Sequence, residues 1–233
     1  MTETNKKPTK ELKNLGYEIF IGVLSILSIF NIILGIIYRY LSVDSNIAGV
    51  LDIMNALYSV IFLGDFTYRI LTTDDKAGYF FRRFGWADLL ASLPFEQLKI
   101  LRVFRLFRVY RLMRDIGPKK ILDTLTKDRA GSALYVLLMM GVFVLEFGAL
   151  AVLKAEQSNP DANIKTASDA VWYTIVTIST VGYGDRYPTT SLGRIYGSLI
   201  IIVGVGIFGT FTGFLANFFL SPSKKEEEDE SES

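Results

Sequence analysis

Residues 19–38 carry no charge and sit inside a longer apolar run over residues 17–41. About 20 such residues cross a bilayer core as a helix, and inside that core every backbone polar group must be satisfied within the protein. Further apolar stretches follow at residues 47–71 (with Asp52 and Asp65 inside), 79–95 (with Asp88 and Pro94), 131–154 (with Glu146) and 193–220, which is glycine-rich. Residues 98–114 read as a basic helix, and residues 165–178 as an amphipathic, re-entrant one. The spacing predicts an all-α integral membrane protein that crosses the membrane six times.

Composition agrees. Half of the 233 residues are hydrophobic and the mean hydropathy is +0.33, which is too apolar for a soluble domain of this length. The net charge of +1 gives no bulk attraction to nucleic acid, so none is expected as a partner. Cysteine and histidine are both absent. Disulfides, thiolate nucleophiles, the usual zinc sites and a Ser–His–Asp triad are therefore excluded, and the inventory argues against an enzyme. The first 14 residues are polar, and the apolar run behind them is too long for a signal-peptide core.

Charge sorting sets the topology. Lys6, Lys7, Lys10 and Lys13 precede the first span; Lys76, Arg82 and Arg83 follow the second; Lys119, Lys120, Lys127 and Arg129 follow the basic helix. With six crossings these segments and both termini fall on the cytoplasmic side. Asp44, Glu96, Glu156, Asp161 and Asp185 fall on the other. The acidic, low-complexity residues 221–233 read as a disordered tail.

Lys99, Arg102, Arg105, Arg108, Arg111 and Arg114 recur at every third residue, separated by pairs that are apolar apart from the phenol of Tyr110. In an α-helix that period winds as a spiral stripe; in a 3₁₀ helix it forms one row. A basic helix lying on an anionic membrane surface is one reading. Such helices segregate charge over i, i+3, i+4 and i+7, whereas this period of three is strict. Arginine-rich helices of this kind are found as voltage sensors, in which each elementary charge crossing the field contributes about 2.3 kcal/mol per 100 mV. Buried arginines need partners, and the second span offers Asp65 behind Phe62, the third Asp88. Asp65 and Arg69 also have the spacing of a simple i, i+4 pair.

Between the re-entrant helix and the last span stands Thr180-Val181-Gly182-Tyr183-Gly184, followed by Asp185. Consecutive carbonyls of such a loop, aimed inward, replace the hydration shell of a potassium ion. This string is the potassium-filter signature itself, so its selectivity comes with the resemblance and is not deduced from the residues. Irregular backbone at membrane depth must be surrounded by protein or line water. One chain carries one such loop, so a closed ring requires several copies related by cyclic symmetry.

Over roughly residues 15–220 the chain resembles the six-span voltage-gated potassium channels, in the bare form seen in prokaryotic members. The resemblance implies a voltage-sensor domain of four helices at residues 17–114, behind a cytoplasmic segment at 1–16. A linker helix at 115–130 follows, then a two-span pore domain at 131–220 with re-entrant pore helix and filter loop. It sets the assembly at a homotetramer in the plasma membrane, with K+ as permeant ion, lipid as surroundings and no cofactor. It implies a charge-transfer site of Phe62, Asp65 and Asp88. The outer acid often found on the second span is replaced by Asn55, with Asp52 nearby. It makes Trp172 and Tyr173 a cuff around the filter, and it matches Ala155-Glu156 at the top of the fifth span. Asp185 should concentrate cations at the outer mouth. Tyr187 should form a cation–π cage for external tetraethylammonium, with Arg186 opposing the blocker. Gly204 falls at the hinge position of the last span, with Gly206 as the alternative; the other glycines there are packing contacts. The Pro-x-Pro bend of many animal members is absent. Glu146 has no family counterpart and no evident partner.

The resulting expectation is a voltage-gated channel. Depolarisation moves the basic helix, the linker pulls, and an inner gate on the last span opens. The sign of coupling stays open. Rivals are a voltage-insensitive potassium leak, a non-conducting regulatory subunit, and an enzyme coupled to a sensor. The last has no room after residue 220.

Overall fold

The computed structural model describes residues 15–41, 45–73, 75–82, 85–92 and 129–220, together with Phe104, Leu106, Phe107, Val109, Tyr110 and Arg114 of the basic segment. Lys99, Arg102, Arg105, Arg108, Arg111 and the linker residues 115–128 lie outside the described residues, as do residues 1–14 and 221–233.

Helix α1, Leu15–Tyr40, has two unlike stripes. Leu24, Leu27, Ser28, Asn31 and Gly35 face inward, while Ile26, Phe30, Ile33 and Ile37 lie exposed along the other side. An apolar outer stripe and a polar-containing inner one is the pattern expected of a helix bathed in lipid. Helix α2, Ser45–Thr72, runs unbroken through Asp52 and Asp65. Both acids are neutralised locally. Arg39 reaches Asp52 at 2.5 Å and Arg69 reaches Asp65 at 2.9 Å.

Where a third span is expected over residues 79–95, a π turn at Gly78–Arg82 leads into helix α3, Gly85–Ser92. Gly85 lets the two meet, since a Cβ there would lie 2.8 Å from the Tyr79 ring. Phe104 of the basic segment packs edge-on against Trp86 of α3, ring centroids 5.4 Å apart.

The pore half begins with a continuous rod. Helix α4, Arg129–Phe143, passes through a π turn at Val144–Gly148 into helix α5, Ala149–Glu156. Helix α6, Ala167–Ile178, is short, at 12 residues; helix α7, Ser191–Leu220, closes the described chain. Leu15–Tyr40, Ser45–Thr72, Ala133–Glu156 and Ser191–Asn217 are long and apolar enough to cross a membrane, which makes this a multi-pass membrane protein.

One apolar core joins the two halves: Phe20, Leu24, Met54 and Tyr58 from α1 and α2 meet Val152, Leu153, Ala170 and Ile200 from the pore half. Burial is uneven. Of the apolar window in α1, 56% is buried, against 11% in α7. The filter side of the pore half is therefore open in a single chain, with Val181, Tyr183, Ile202 and Val205 all exposed.

Candidate functional site

Thr166 starts α6 with a reciprocal cap. Its Oγ1 accepts from the Asp169 backbone N–H at 3.2 Å, and Asp169 Oδ2 accepts from the Thr166 N–H at 3.0 Å. This satisfies donors that a helix start leaves open and fixes where α6 begins. Its other end sets the filter loop. The backbone N–H groups of Thr180 and Val181 turn back to the carbonyls of Thr177 and Val176, at 3.1 Å each, and that of Gly182 reaches Val176 O at 3.4 Å. Three of the loop's five amide donors are thus taken up by the helix end.

Thr180, Gly182 and Gly184 have φ of 60°, 62° and 78°. Glycine takes this left-handed region without penalty; for Thr180 it is strained, at about 1–3 kcal/mol. Positive φ at every second residue departs from the strand pattern, in which successive carbonyls point to opposite sides. What the loop offers is therefore its carbonyl acceptors, with three of its donors engaged by the end of α6. A helix whose carboxyl end faces the same region adds a partial negative charge there.

Side chains hold the loop. Trp172 stacks on Tyr183 with centroids 5.8 Å apart and planes 7° from parallel, and its indole N–H donates to Asp185 Oδ2 at 2.9 Å. Tyr173 points elsewhere, toward the last helix: a Cβ at Gly197 would lie 2.6 Å from its hydroxyl. Glu156, at the top of α5, accepts from both the N–H and the hydroxyl of Thr189 and of Thr190, at 2.5–2.9 Å. Beyond the filter, Asn163 donates to the Asp185 carbonyl at 3.4 Å and accepts from the Tyr187 N–H at 3.2 Å. Arg186 pairs with Asp169 at 2.9 Å. Burial would raise the Asp169 carboxyl, but hydrogen bonds from Thr166 and Lys165, and the Arg186 charge, outweigh it and hold the group below its ordinary value. The ring of Tyr187 is left exposed.

Gly204 lies where α7 passes the end of α6. A Cβ there would come within 2.9 Å of Ile178 Cα, whereas one at Gly206 would meet nothing within 4 Å. Close approach accounts for glycine at 204, and α7 runs through it as continuous helix.

In the α1–α3 half, Phe62, Asp65 and Asp88 are all buried. Tyr17 donates to Asp65 Oδ1 at 2.6 Å, Tyr79 donates to Asp88 at 3.2 Å, and Phe66 packs on Tyr79 with centroids 6.4 Å apart. The two acids thus sit on adjoining elements at one level. Arg69 holds Asp65 and also Glu18, at 2.8 Å. One turn and two turns beyond Phe62, Ser59 Oγ and Asn55 Oδ1 are buried on the same face of α2 with no hydrogen-bond partner among the described residues. Arg114, at the end of the stripe, is exposed. The other basic positions lie outside the described residues.

Sequence reasoning passed over three elements of this site. The Tyr17 and Glu18 contacts join residues 48 and 51 positions apart and leave no local signal. The Asn163 bridge is equally non-local. The Thr166-x-x-Asp169 cap is a readable signature.

Fold and site together define a membrane protein of the channel class. Residues 14–227 match the family described as Ion transport protein, and the chain belongs to that family. It is similar to the voltage-gated potassium channel of Aeropyrum pernix, 36% identical over 73 residues, 31% of this chain and 25% of the relative. It is also similar to the calcium-gated potassium channel TvoK of Thermoplasma volcanium, 32% identical over 87 residues (37% of this chain, 25% of the relative). A third relative is potassium voltage-gated channel subfamily V member 2 of Mus musculus, 41% identical over 86 residues (37% and 15%). The matched stretch thus spans a quarter of the length of the first two relatives and less of the third.

Proposed function

We propose that this chain is the subunit of a potassium-selective, voltage-gated channel of the plasma membrane, with both termini cytoplasmic. The observation that carries the reading is the loop at 180–184, where the amides of Thr180, Val181 and Gly182 turn back to the end of α6 and φ is positive at Thr180, Gly182 and Gly184. A single copy leaves that loop open, and the sparse burial of α7 leaves room for neighbours. Four copies around an axis convert the carbonyls of one loop into stacked rings that take up dehydrated K+. Asp185, braced by Trp172, stands at the entrance.

Voltage sensing rests on the stripe from Lys99 to Arg114 in the sequence and on the buried residues Phe62, Asp65 and Asp88. Asp65 follows Phe62 on the same face of α2, Asp88 is buried on α3, and Ser59 and Asn55 are buried acceptors further along α2. Guanidinium groups supply donors in a fixed fork that suit such acceptors. Movement of the stripe then pulls the linker and opens an inner gate on α7. If three charges per subunit cross the field in a tetramer, the bias is roughly 28 kcal/mol per 100 mV.

A voltage-insensitive potassium channel is the second reading. It is favoured by Arg69, which already neutralises Asp65, and by a relative named as calcium-gated. Current through the purified protein in planar bilayers, stepping voltage in potassium and then sodium, separates the two. Potassium-selective current rising steeply with voltage supports the first reading. Selective current without voltage dependence supports the second. Folded oligomers that pass no current sink both and leave a regulatory subunit.

A further inference from the structure

Glu146 is fully buried in the π turn of the pore's outer helix. Its two carboxyl oxygens are held from the other half of the molecule. Asn31 of α1 donates to Oε1 at 2.9 Å, and the Tyr58 hydroxyl of α2 donates to Oε2. Asn55 of α2 donates in turn to Asn31 Oδ1 at 2.8 Å. Asn31 and Tyr58 are fully buried and Asn55 nearly so. Three polar side chains from two helices therefore close on one carboxyl, two directly and Asn55 through Asn31, in the middle of an otherwise apolar contact.

Apolar packing alone fixes little here. Lipid tails are as apolar as leucine, so helices in a membrane gain no hydrophobic drive from meeting each other, and interhelical hydrogen bonds and close backbone approach set register instead. Both devices occur along this contact. At one level Tyr17 of α1 meets Tyr135 of α4, centroids 5.9 Å apart. At another, Gly49 of α2 comes so near α6 that a Cβ would lie 2.9 Å from Ala167 Cβ. The carboxyl cluster lies between them along α1 and α2, and a π turn, a costly departure from regular helix that recurs at functional sites, occurs where the carboxyl sits.

We propose that Glu146, Asn31, Asn55 and Tyr58 form a lock that holds α1 and α2 as a fixed stator against the pore half of their own chain. Glu146 is then a positioning residue for gating. With the stator held, displacement of the basic segment is delivered to the linker and the gate instead of being lost as rocking of the whole bundle. This rests on the voltage-gated reading above.

The test uses the full chain in planar bilayers, comparing opening with charge movement measured without permeant ion. In Glu146→Leu the open fraction at the wild-type half-activation voltage is expected to fall at least about fivefold, the lower end of ordinary coupling between sites. Charge movement keeps its wild-type midpoint and potassium-over-sodium selectivity is unchanged. Glu146→Gln, which keeps an acceptor and the shape, stays near wild type. Tyr58→Phe, which deletes one hydrogen bond and leaves the ring in place, moves in the direction of Glu146→Leu and carries the test if the leucine variant does not assemble. Tetrameric variants that open on the wild-type curve overturn the lock. So does a variant whose charge movement and opening shift together, because the cluster would then only shape the fold. A wild type that conducts selectively without voltage dependence overturns the gating reading itself, and that failure is read before any variant is made.

Discussion

Two carboxylates anchor the segments on either side of the loop at 180–184. Glu156 takes four hydrogen bonds from Thr189 and Thr190 while fully buried. Replacing it by glutamine turns an amide toward donors and strands some of them, at about 1–3 kcal/mol. Glu156→Gln is expected to lower the thermal midpoint of the assembled protein and to make potassium current decay faster during a sustained pulse; equal decay would show that the bonds do not brace the filter. Asp169 supplies a pH signature. Its folded-state value is depressed below the ordinary 3.8 by Thr166, Lys165 and Arg186. A depressed carboxyl contributes stability that is fully present above its unfolded value and is lost as pH falls through the folded value. Thermal stability should therefore carry a component that is flat from neutral pH down to about 4 and falls below 3.8. Asp169→Asn should remove that acid-side component, measured by melting at stepped pH. At this scale the sequence was legible where chemistry is local. The loop at 180–184 is readable in its backbone, because its two glycines stand where φ is positive. Glu146 was not readable, because Asn31 and Tyr58 lie 115 and 88 residues away and nothing in a linear pattern joins them.

Among elements, the informative contact is between α6 and α7. Gly204 allows the last helix to pass the end of the pore helix, and the nearest obstacle to a Cβ is the Ile178 backbone, which cannot swing aside like a side-chain end. Gly204→Ala should cost about 1–3 kcal/mol by overpacking. Gly206→Ala, facing open space, should be neutral or stabilising by roughly 0.5–1 kcal/mol in a helix interior. The pair of melting curves distinguishes packing from hinging. A hinge role predicts that Gly204→Ala leaves stability intact and alters opening alone. Element positions were largely legible from hydropathy, since lipid demands unbroken helices of a known length. Details within them were not. The π turn at Val144–Gly148 follows from tertiary contact, and α2 absorbs Asp52 and Asp65 without interruption because Arg39 and Arg69 neutralise them in place.

The whole molecule is where the outer mouth acquires meaning. One Tyr187 is an exposed ring beside a braced loop; rings from several copies around an axis make a cage for a quaternary ammonium ion. The obstacle expected from the sequence was Arg186, a like charge next to the site. Its guanidinium is drawn back to Asp169 at 2.9 Å, so one of its donors faces a carboxylate and its charge has a counter-ion beside it. External tetraethylammonium is therefore expected to block potassium current. Tyr187→Val should weaken that block by about 2- to 30-fold, the range set by cation–π energies of roughly 0.5–2 kcal/mol. The scale of the effect identifies its origin. If every copy contributes a ring to one bound cation, tetramers mixed from wild-type and valine chains will show intermediate affinities that step with the number of tyrosines. If each ring acts alone, mixed assemblies will show two superposed blocking components at the parental affinities. Unchanged block in the pure valine channel would remove the cage altogether, and with it the need for Tyr187 to face the axis.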